Sequence, residues 1–189
     1  MKKILVLGRG SASTQMLIQC LKSNAYYVHW LEERRNDKKT LLKKRVKKHG
    51  VFKVLGQLVF LVYQRYLNFR SSGRKEEILN DFGLRGMSTA DFVTPNVNDV
   101  SAFQYISSFN ADLIVLSGAR ILSPQLLASV DCPVLNIHAG INPKYRGVHG
   151  GYWALVNDDI SHCGVTIHRV DEGVDTGEVL AYAKINITT

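Results

Sequence analysis

The 189-residue sequence predicts one α/β domain over 1–189, a doubly wound, mostly parallel sheet with a basic helical insertion at about 32–80. Three observations predict it. Ile4-Leu5-Val6-Leu7 is a short apolar run closed by Gly8-Arg9-Gly10-Ser11, followed by a helix from about Ser13 to Lys22 and a second strand over Tyr26–Leu31; strand, glycine turn, helix, strand opens a doubly wound sheet. Asp112–Leu116 (DLIVL) is the uninterrupted apolar run of a parallel strand buried on both faces. The stretch of roughly 38–70 departs from this alternation, with apolar residues at helical spacing in a basic background.

The other elements follow from local signals. Ser71-Ser72-Gly73 punctuates the end of the insertion, and Glu76–Phe82 is weakly helical. Pro95 disfavours helix at Thr94, so Phe92–Val97 reads as extended. Ser101–Phe109 reads as a helix. Ser123 is an N-cap, with Pro124 in the first turn of a helix running to about Ser129. Pro133–His138 reads as a strand, Tyr152–Val156 as a helix, Gly164–Val170 as a strand and Glu178–Ile187 as the last strand.

Composition excludes several classes. A 46% hydrophobic content suits a globule that buries about 70% of its unfolded surface, not a disordered chain. The longest mostly apolar run, Val54–Tyr63, is half of the roughly 20 residues that span a bilayer. Lys2-Lys3 precede only four apolar residues before Gly8, too few for a signal-peptide core. Cys20, Cys132 and Cys163 are odd in number and form no C-x-x-C, which predicts a reduced, cytoplasmic protein without a disulfide framework.

The net charge of +8 is concentrated. Between Glu32 and His49 nine Lys or Arg stand against Glu32, Glu33 and Asp37. Leu41, Leu42, Val46, Phe52 and Leu55 recur there at helical spacing, so a basic amphipathic helix is expected, broken at Gly50. Four uses stay open for it: a solvated face whose lysine stems cover apolar surface, a nucleic-acid contact, an anionic-membrane contact, or an anionic substrate.

The chemistry gathers after residue 130, where four of the six histidines fall. In Val134-Leu135-Asn136-Ile137-His138 the strand period of two puts Asn136 and His138 on one face, with α-carbons about 7 Å apart. They sit at the carboxyl end of the strand, where open α/β sheets place ligands. An amide donor and an imidazole facing one cleft can hold a developing oxyanion and move a proton. Downstream, Thr166 and His168 share a strand face, and Asp171, Glu172 and Asp175 follow in a loop between two glycines. Such acids are either turn formers or partners for the histidine. With no H-E-x-x-H and no Cys/His ligand spacing, no metal is expected.

At these residues the chain resembles the folate-dependent formyltransferases. ADLIVLSGARILSP, LNIH, NPKYRG and GVTIHRVDEGVDTG occur in order and at family spacing between Ala111 and Leu180. The resemblance implies the Rossmann-like formyltransferase fold and transfer of a formyl group from 10-formyltetrahydrofolate to a primary amine, without a covalent enzyme intermediate. It assigns the catalytic roles to Asn136, His138 and Asp175: Asn136 and protonated His138 stabilise the oxyanion, and Asp175 keeps His138 charged and helps carry the amine's proton. It places Thr166 and His168 as supporting residues. It places the folate along Ala119-Arg120-Ile121-Leu122 and along Val170 and Asp171 in the loop to Asp175.

The implied acceptor is a small-molecule amine. The PKYRG-GVHGGYWAL stretch, with Tyr145, is similar to formyltransferases of nucleotide-linked amino sugars. The alternative is glycinamide ribonucleotide, whose phosphate would sit on Gly8, Gly10 and Ser11 at a helix N-terminus. The chain stops at Thr189, where members usually continue, and the C-terminal domain of the methionyl-tRNA enzymes does not follow, which disfavours a nucleic-acid partner. An extra helix or a homodimer partner would complete the cleft, and the basic helix would allow peripheral membrane contact. Water as acceptor would use the same machinery. Two other classes compete: a non-catalytic binding module, and an NAD-binding oxidoreductase, the latter weakened because Ser13 stands where G-x-G-x-x-G needs its third glycine.

Overall fold

In the computed structural model, which describes residues 1–34, 46–48, 50–81 and 88–185, seven strands form one sheet in the order β3-β2-β1-β4-β5-β6-β7. These are β1 (Lys3–Gly8), β2 (Tyr27–Glu33), β3 (Phe92–Thr94), β4 (Leu113–Ser117), β5 (Val134–His138), β6 (Gly164–Arg169) and β7 (Val179–Lys184). Pairing is parallel from β3 through β5, then antiparallel for β5–β6 and β6–β7. The helices are α1 (Ala12–Ser23), α2 (Val51–Arg70), α3 (Ser72–Asp81), α4 (Val100–Phe109), α5 (Pro124–Ala128) and α6 (Gly150–Val156).

The chain divides into two compact units, Met1–Arg34 with Ser88–Thr189, and Arg35–Met87. The second overlaps the stretch read as a helical insertion. Its basic helix falls largely on 35–45 and 49, outside the described residues; 46–48 are helical. Helix α2 starts directly after Gly50, whose φ of +80° suits glycine at the break. The Ser71-Ser72-Gly73 punctuation is tighter than a loop. The Ser71 hydroxyl donates to the Leu67 carbonyl at 2.9 Å and the Ser72 hydroxyl to the Phe69 carbonyl at 2.8 Å, and α3 begins at once.

In the first unit, alternation along β1 builds two cores. Leu5 and Leu7 join Leu31, Ile106, Leu116, Leu122 and Val134 on one face; Ile4 and Val6 join Ile18, Val28, Trp30 and Val115 on the other. A sheet covered on both faces buries its central strands completely, which explains their unbroken apolar runs. Ser11 caps α1 by accepting from the Thr14 amide, and Ser123 caps α5 by accepting from the Leu126 amide with Pro124 as the first helical residue. The extended stretch expected over Phe92–Val97 is a strand only to Thr94: the Thr94 hydroxyl donates to the Asn96 carbonyl at 2.9 Å and turns the chain.

These connections leave Gly8, Ser117 and His138, the last residues of β1, β4 and β5, at one edge. Gly8 pairs with Ser117, and Leu116 pairs with Asn136. Two strand spacings, about 10 Å, separate the glycine turn from the histidine.

Candidate active site

Register brings the polar residues together. Across the antiparallel pair, Asn136 faces His168 and His138 faces Thr166. Two period-two pairs, each on one face of its own strand, therefore become a square of four side chains. His138, Thr166 and His168 are buried.

Asp175 closes the square. It has a φ of +52°, a left-handed conformation that Asp tolerates better than most side chains and that is enriched at functional sites. Its Oδ1 accepts from Asn136 Nδ2 at 3.1 Å and lies 3.4 Å from His168 Nε2. Its Oδ2 accepts from the Gly147 amide at 2.9 Å and lies 3.4 Å from His138 Nδ1. The other two acids of the loop do not enter. Asp171 accepts from the Gly173 amide and the Thr176 hydroxyl, a turn former by geometry, and Glu172 is exposed.

Each ring nitrogen has a readable role. His138 Nε2 lies 2.7 Å from the Tyr145 carbonyl, an acceptor, so Nε2 carries a hydrogen and donates. Nδ1, turned to Asp175, is then the atom that accepts or returns a proton. His168 Nδ1 donates to the Arg169 carbonyl at 2.7 Å, which leaves its Nε2 to accept from Asn136 Nδ2 at 3.1 Å. Both amide hydrogens of Asn136 are thus engaged, one by Asp175 and one by His168. Any further acceptor at Asn136 Nδ2 would have to take over one of these bonds.

The loop after β5 supplies the rest of the frame. The Thr166 hydroxyl donates to the Gly140 carbonyl at 2.6 Å and accepts from the Asn142 amide at 3.1 Å. Asn142 Nδ2 donates to the Asp175 carbonyl at 3.1 Å, and the Asn142–Pro143 peptide is cis. Asn142 Oδ1 is buried with no hydrogen-bond partner among the described residues. A side chain at Gly140 would stand 2.5 Å from the Tyr145 carbonyl oxygen and 2.7 Å from His138 Nε2, so only glycine fits. Tyr145 is buried, with its hydroxyl donating to Asp159 Oδ2 at 3.0 Å. Hydrogen bonds from Lys144, then from His162, hold the Asp159 carboxyl well below the usual carboxylate range; the same contact raises Lys144.

The segments read as a folate pocket are neighbours. Leu122 is a core residue of the cluster that includes Leu116 and Val134, and Ala119 and Val170 pack against that cluster. Arg120 is tied by an ion pair to the buried Glu33, whose Oε1 also accepts from the Val97 amide. Asn98 clamps the segment, donating to the Ile121 carbonyl at 3.0 Å and accepting from the Ser123 amide at 2.8 Å. Ile121 itself is exposed.

At the glycine turn, a Cβ at Gly8 would stand 2.4 Å from the Ser117 carbonyl oxygen, which explains the glycine by packing. Arg9 Nε is buried with no hydrogen-bond partner among the described residues, beside the N-terminus of α1. A cavity of about 380 Å³ lies at the amino ends of β4 and β5, lined by Asn110, Asp112, Asp131 and Cys132, at the opposite end of the strands from His138. Among the described residues no three His, Cys, Asp or Glu side chains gather to hold a metal ion.

Sequence reasoning missed Gly140, Glu33 and Asn98, and it took Asn142 and Gly147 only as letters of the NPKYRG motif, without their contacts to Asp175. These residues act through backbone groups or through contacts distant in sequence, which local patterns do not show.

Comparison with known proteins places this geometry in context. A family model described as formyl transferase matches residues 2–189. The methionyl-tRNA formyltransferase of Agathobacter rectalis is 37% identical over 97 residues, 51% of this chain and 31% of that protein. Phosphoribosylglycinamide formyltransferase from Bacillus halodurans superposes with a TM-score of 0.59 at 22% identity, covering 99% of this chain and 81% of that one. A Mycobacterium tuberculosis protein ascribed to the sugar N-formyltransferases gives a TM-score of 0.56 at 16% identity, covering 100% and 56%. The likeness to the solved structures is one of fold. The chain spans about a third of the length of the curated relatives it matches, 31% and 32% for the first two.

Proposed function

The chain belongs to the formyl transferase family, and from that premise we propose that it moves a formyl group from 10-formyltetrahydrofolate to a primary amine, with Asn136, His138 and Asp175 as the catalytic residues. The observation that carries this reading is the single carboxylate of Asp175, which accepts from Asn136 at 3.1 Å and stands 3.4 Å from His138 Nδ1. The bound folate supplies the formyl carbon as electrophile. Asn136 Nδ2 exchanges one of its two bonds for the formyl oxygen and, with His138, stabilises the negative charge that develops there. With His138 protonated, Asp175 receives the proton that the attacking amine sheds, and that proton passes on to the departing folate nitrogen, so that His138 ends in the state in which it began. Ala119, Leu122 and Val170 provide the apolar wall for the folate ring, and Arg120, Ile121 and Asp171 its frame; much of the remaining rate comes from holding the two substrates side by side.

The acceptor in this reading is the amine of a nucleotide-linked amino sugar. Arg9 and the N-terminus of α1 support a phosphate-bearing acceptor about 10 Å from His138, a separation that leaves room for a sugar between phosphate and amine. Tyr152 and Trp153, both exposed on α6, give stacking faces for a base or a pyranose. Glycinamide ribonucleotide is the second reading, since the same turn suits its phosphate and the fold matches the phosphoribosylglycinamide enzymes.

Calorimetric titration with a stable 10-formyltetrahydrofolate analogue, with NAD as control, tests the donor. Saturable folate binding lost in Ile121→Glu, with the circular dichroism spectrum unchanged, supports the cleft; a folded chain that ignores folate overturns the reading. Tetrahydrofolate release with a nucleotide-linked amino sugar, glycinamide ribonucleotide, methionyl-tRNA or water then assigns the acceptor.

A further inference from the structure

Helix α2 (Val51–Arg70) rises about 30 Å and is apolar around most of its circumference. Phe52 is 91% exposed, Phe69 78% and Val62 70%, and Val59, Phe60 and Tyr66 are more than half exposed. Lys53, Gln57, Gln64 and Asn68 recur at helical spacing, so they form one stripe about 60° wide that runs the length of the helix. An exposed apolar surface of this extent marks an interaction site. Among the described residues no helix is long and apolar enough to cross a membrane.

Charge selects the occupant. From Lys38 to Lys75 the sequence holds twelve Lys or Arg and no Asp or Glu. A second copy packed on α2 would bring two such stretches together, and like charges repel. A nucleic acid would neutralise the cations but leave the phenylalanines in water. A bilayer with anionic headgroups answers both, because acyl chains take the apolar face while lipid phosphates meet the lysines and arginines. The polar stripe reaches from one end of the helix to the other, so the helix lies along the surface rather than across it. Tyr63 and Tyr66 add aromatic rings with a polar tip, the type that settles at the headgroup level.

We propose that α2 is an interfacial helix that seats its apolar face at the headgroup–acyl boundary of an anionic membrane. The sequence showed the basic stretch running past Gly50 into the apolar run of Val54–Tyr63; the structure adds that this run lies on α2 with most of its large apolar side chains exposed.

Flotation of the full chain with vesicles of phosphatidylcholine, alone or mixed with phosphatidylglycerol, tests this. The chain is expected to float with the mixed vesicles and to bind phosphatidylcholine alone far less. Phe52→Glu with Phe60→Glu should weaken binding at least tenfold, with an unchanged circular dichroism spectrum because both side chains are exposed. Lys47→Gln with Lys48→Gln should weaken it and flatten its salt dependence. Three results overturn the proposal: a folded chain that stays below the mixed vesicles, undiminished binding by the double glutamate variant, or a dimer in sedimentation that the same two glutamates dissociate.

Discussion

Asn136 Nδ2 lies 3.1 Å from His168 Nε2, across the register pair that β5 and β6 form side by side. Because His168 Nδ1 is committed to the Arg169 carbonyl, Nε2 presents a bare lone pair. That lone pair and Asp175 Oδ1 together draw the amide nitrogen of Asn136 inward and fix which end of the amide faces the carboxylate. In the proposed mechanism His168 is therefore a positioning residue, acting through Asn136.

His168→Phe keeps a buried ring but removes the acceptor. It should cost about 1–3 kcal/mol of stability, the range for a buried polar group left unpaired, and lower kcat about tenfold with the KM for folate unchanged. His168→Gln, which retains an acceptor, should recover part of kcat. Steady-state kinetics beside thermal unfolding separates the two effects; a Phe variant with full kcat would remove His168 from the positioning role.

Asn136→Ala and His138→Ala should each slow formyl transfer by about 100-fold or more while the fold persists. Single-turnover rates and circular dichroism check this. Normal turnover in either variant would sink the proposed mechanism.

Asp175→Asn is isosteric but places an NH₂ where two donors, Asn136 Nδ2 and the Gly147 amide, already point. Whichever way the new amide turns, one donor faces a donor. The variant should lose about as much activity as Asp175→Ala, 100-fold or more. It should also expose the 140–150 loop to limited proteolysis.

The reach of the sequence follows from these contacts. Period-two strands placed Asn136 with His138 and Thr166 with His168, and the Ser123-Pro124 start was readable because a cap is local. The register that sets Asn136 against His168 was not readable, since it depends on two antiparallel strands pairing residues 32 apart in sequence. Residue type and spacing did not separate Asp171, Glu172 and Asp175, and only the resemblance singled out Asp175; its left-handed backbone and its contacts to Asn136 and Gly147 became visible in the structure. The Tyr145 carbonyl that sets the His138 tautomer belongs to a backbone group, invisible to any reading of side chains. The apolar run around Val54–Tyr63 gave no sign of whether it was core or surface until α2 was seen exposed.

Gly140→Ala tests that backbone frame. The added methyl would stand 2.5 Å from the Tyr145 carbonyl oxygen and 2.7 Å from His138 Nε2, between the two partners of a 2.7 Å hydrogen bond. Overpacking of this kind costs about 1–3 kcal/mol, and the displaced ring should lower kcat more than it lowers the melting temperature would suggest. A variant that melts lower yet turns over normally would show that the His138–Tyr145 bond does not matter for the reaction.

Asp159 contributes to the acid limb of stability. Lys144 and His162 donate to its carboxylate, and the Tyr145 hydroxyl joins them at 3.0 Å, so its folded-state pKa is depressed below the unfolded value. A depressed carboxylate contributes stability that is fully present above its unfolded pKa of about 3.9 and is lost as pH falls toward the folded value. Asp159→Asn keeps the shape and removes the titration. The melting temperature of the unsubstituted chain should therefore fall more steeply than that of Asp159→Asn between about pH 4.5 and 2, while above pH 5 the variant should be the less stable of the two. Because Lys144 is more than half exposed, added salt should shrink the difference. Parallel acid limbs in the two proteins would show that the Lys144–Asp159 contact carries no weight in the folded state.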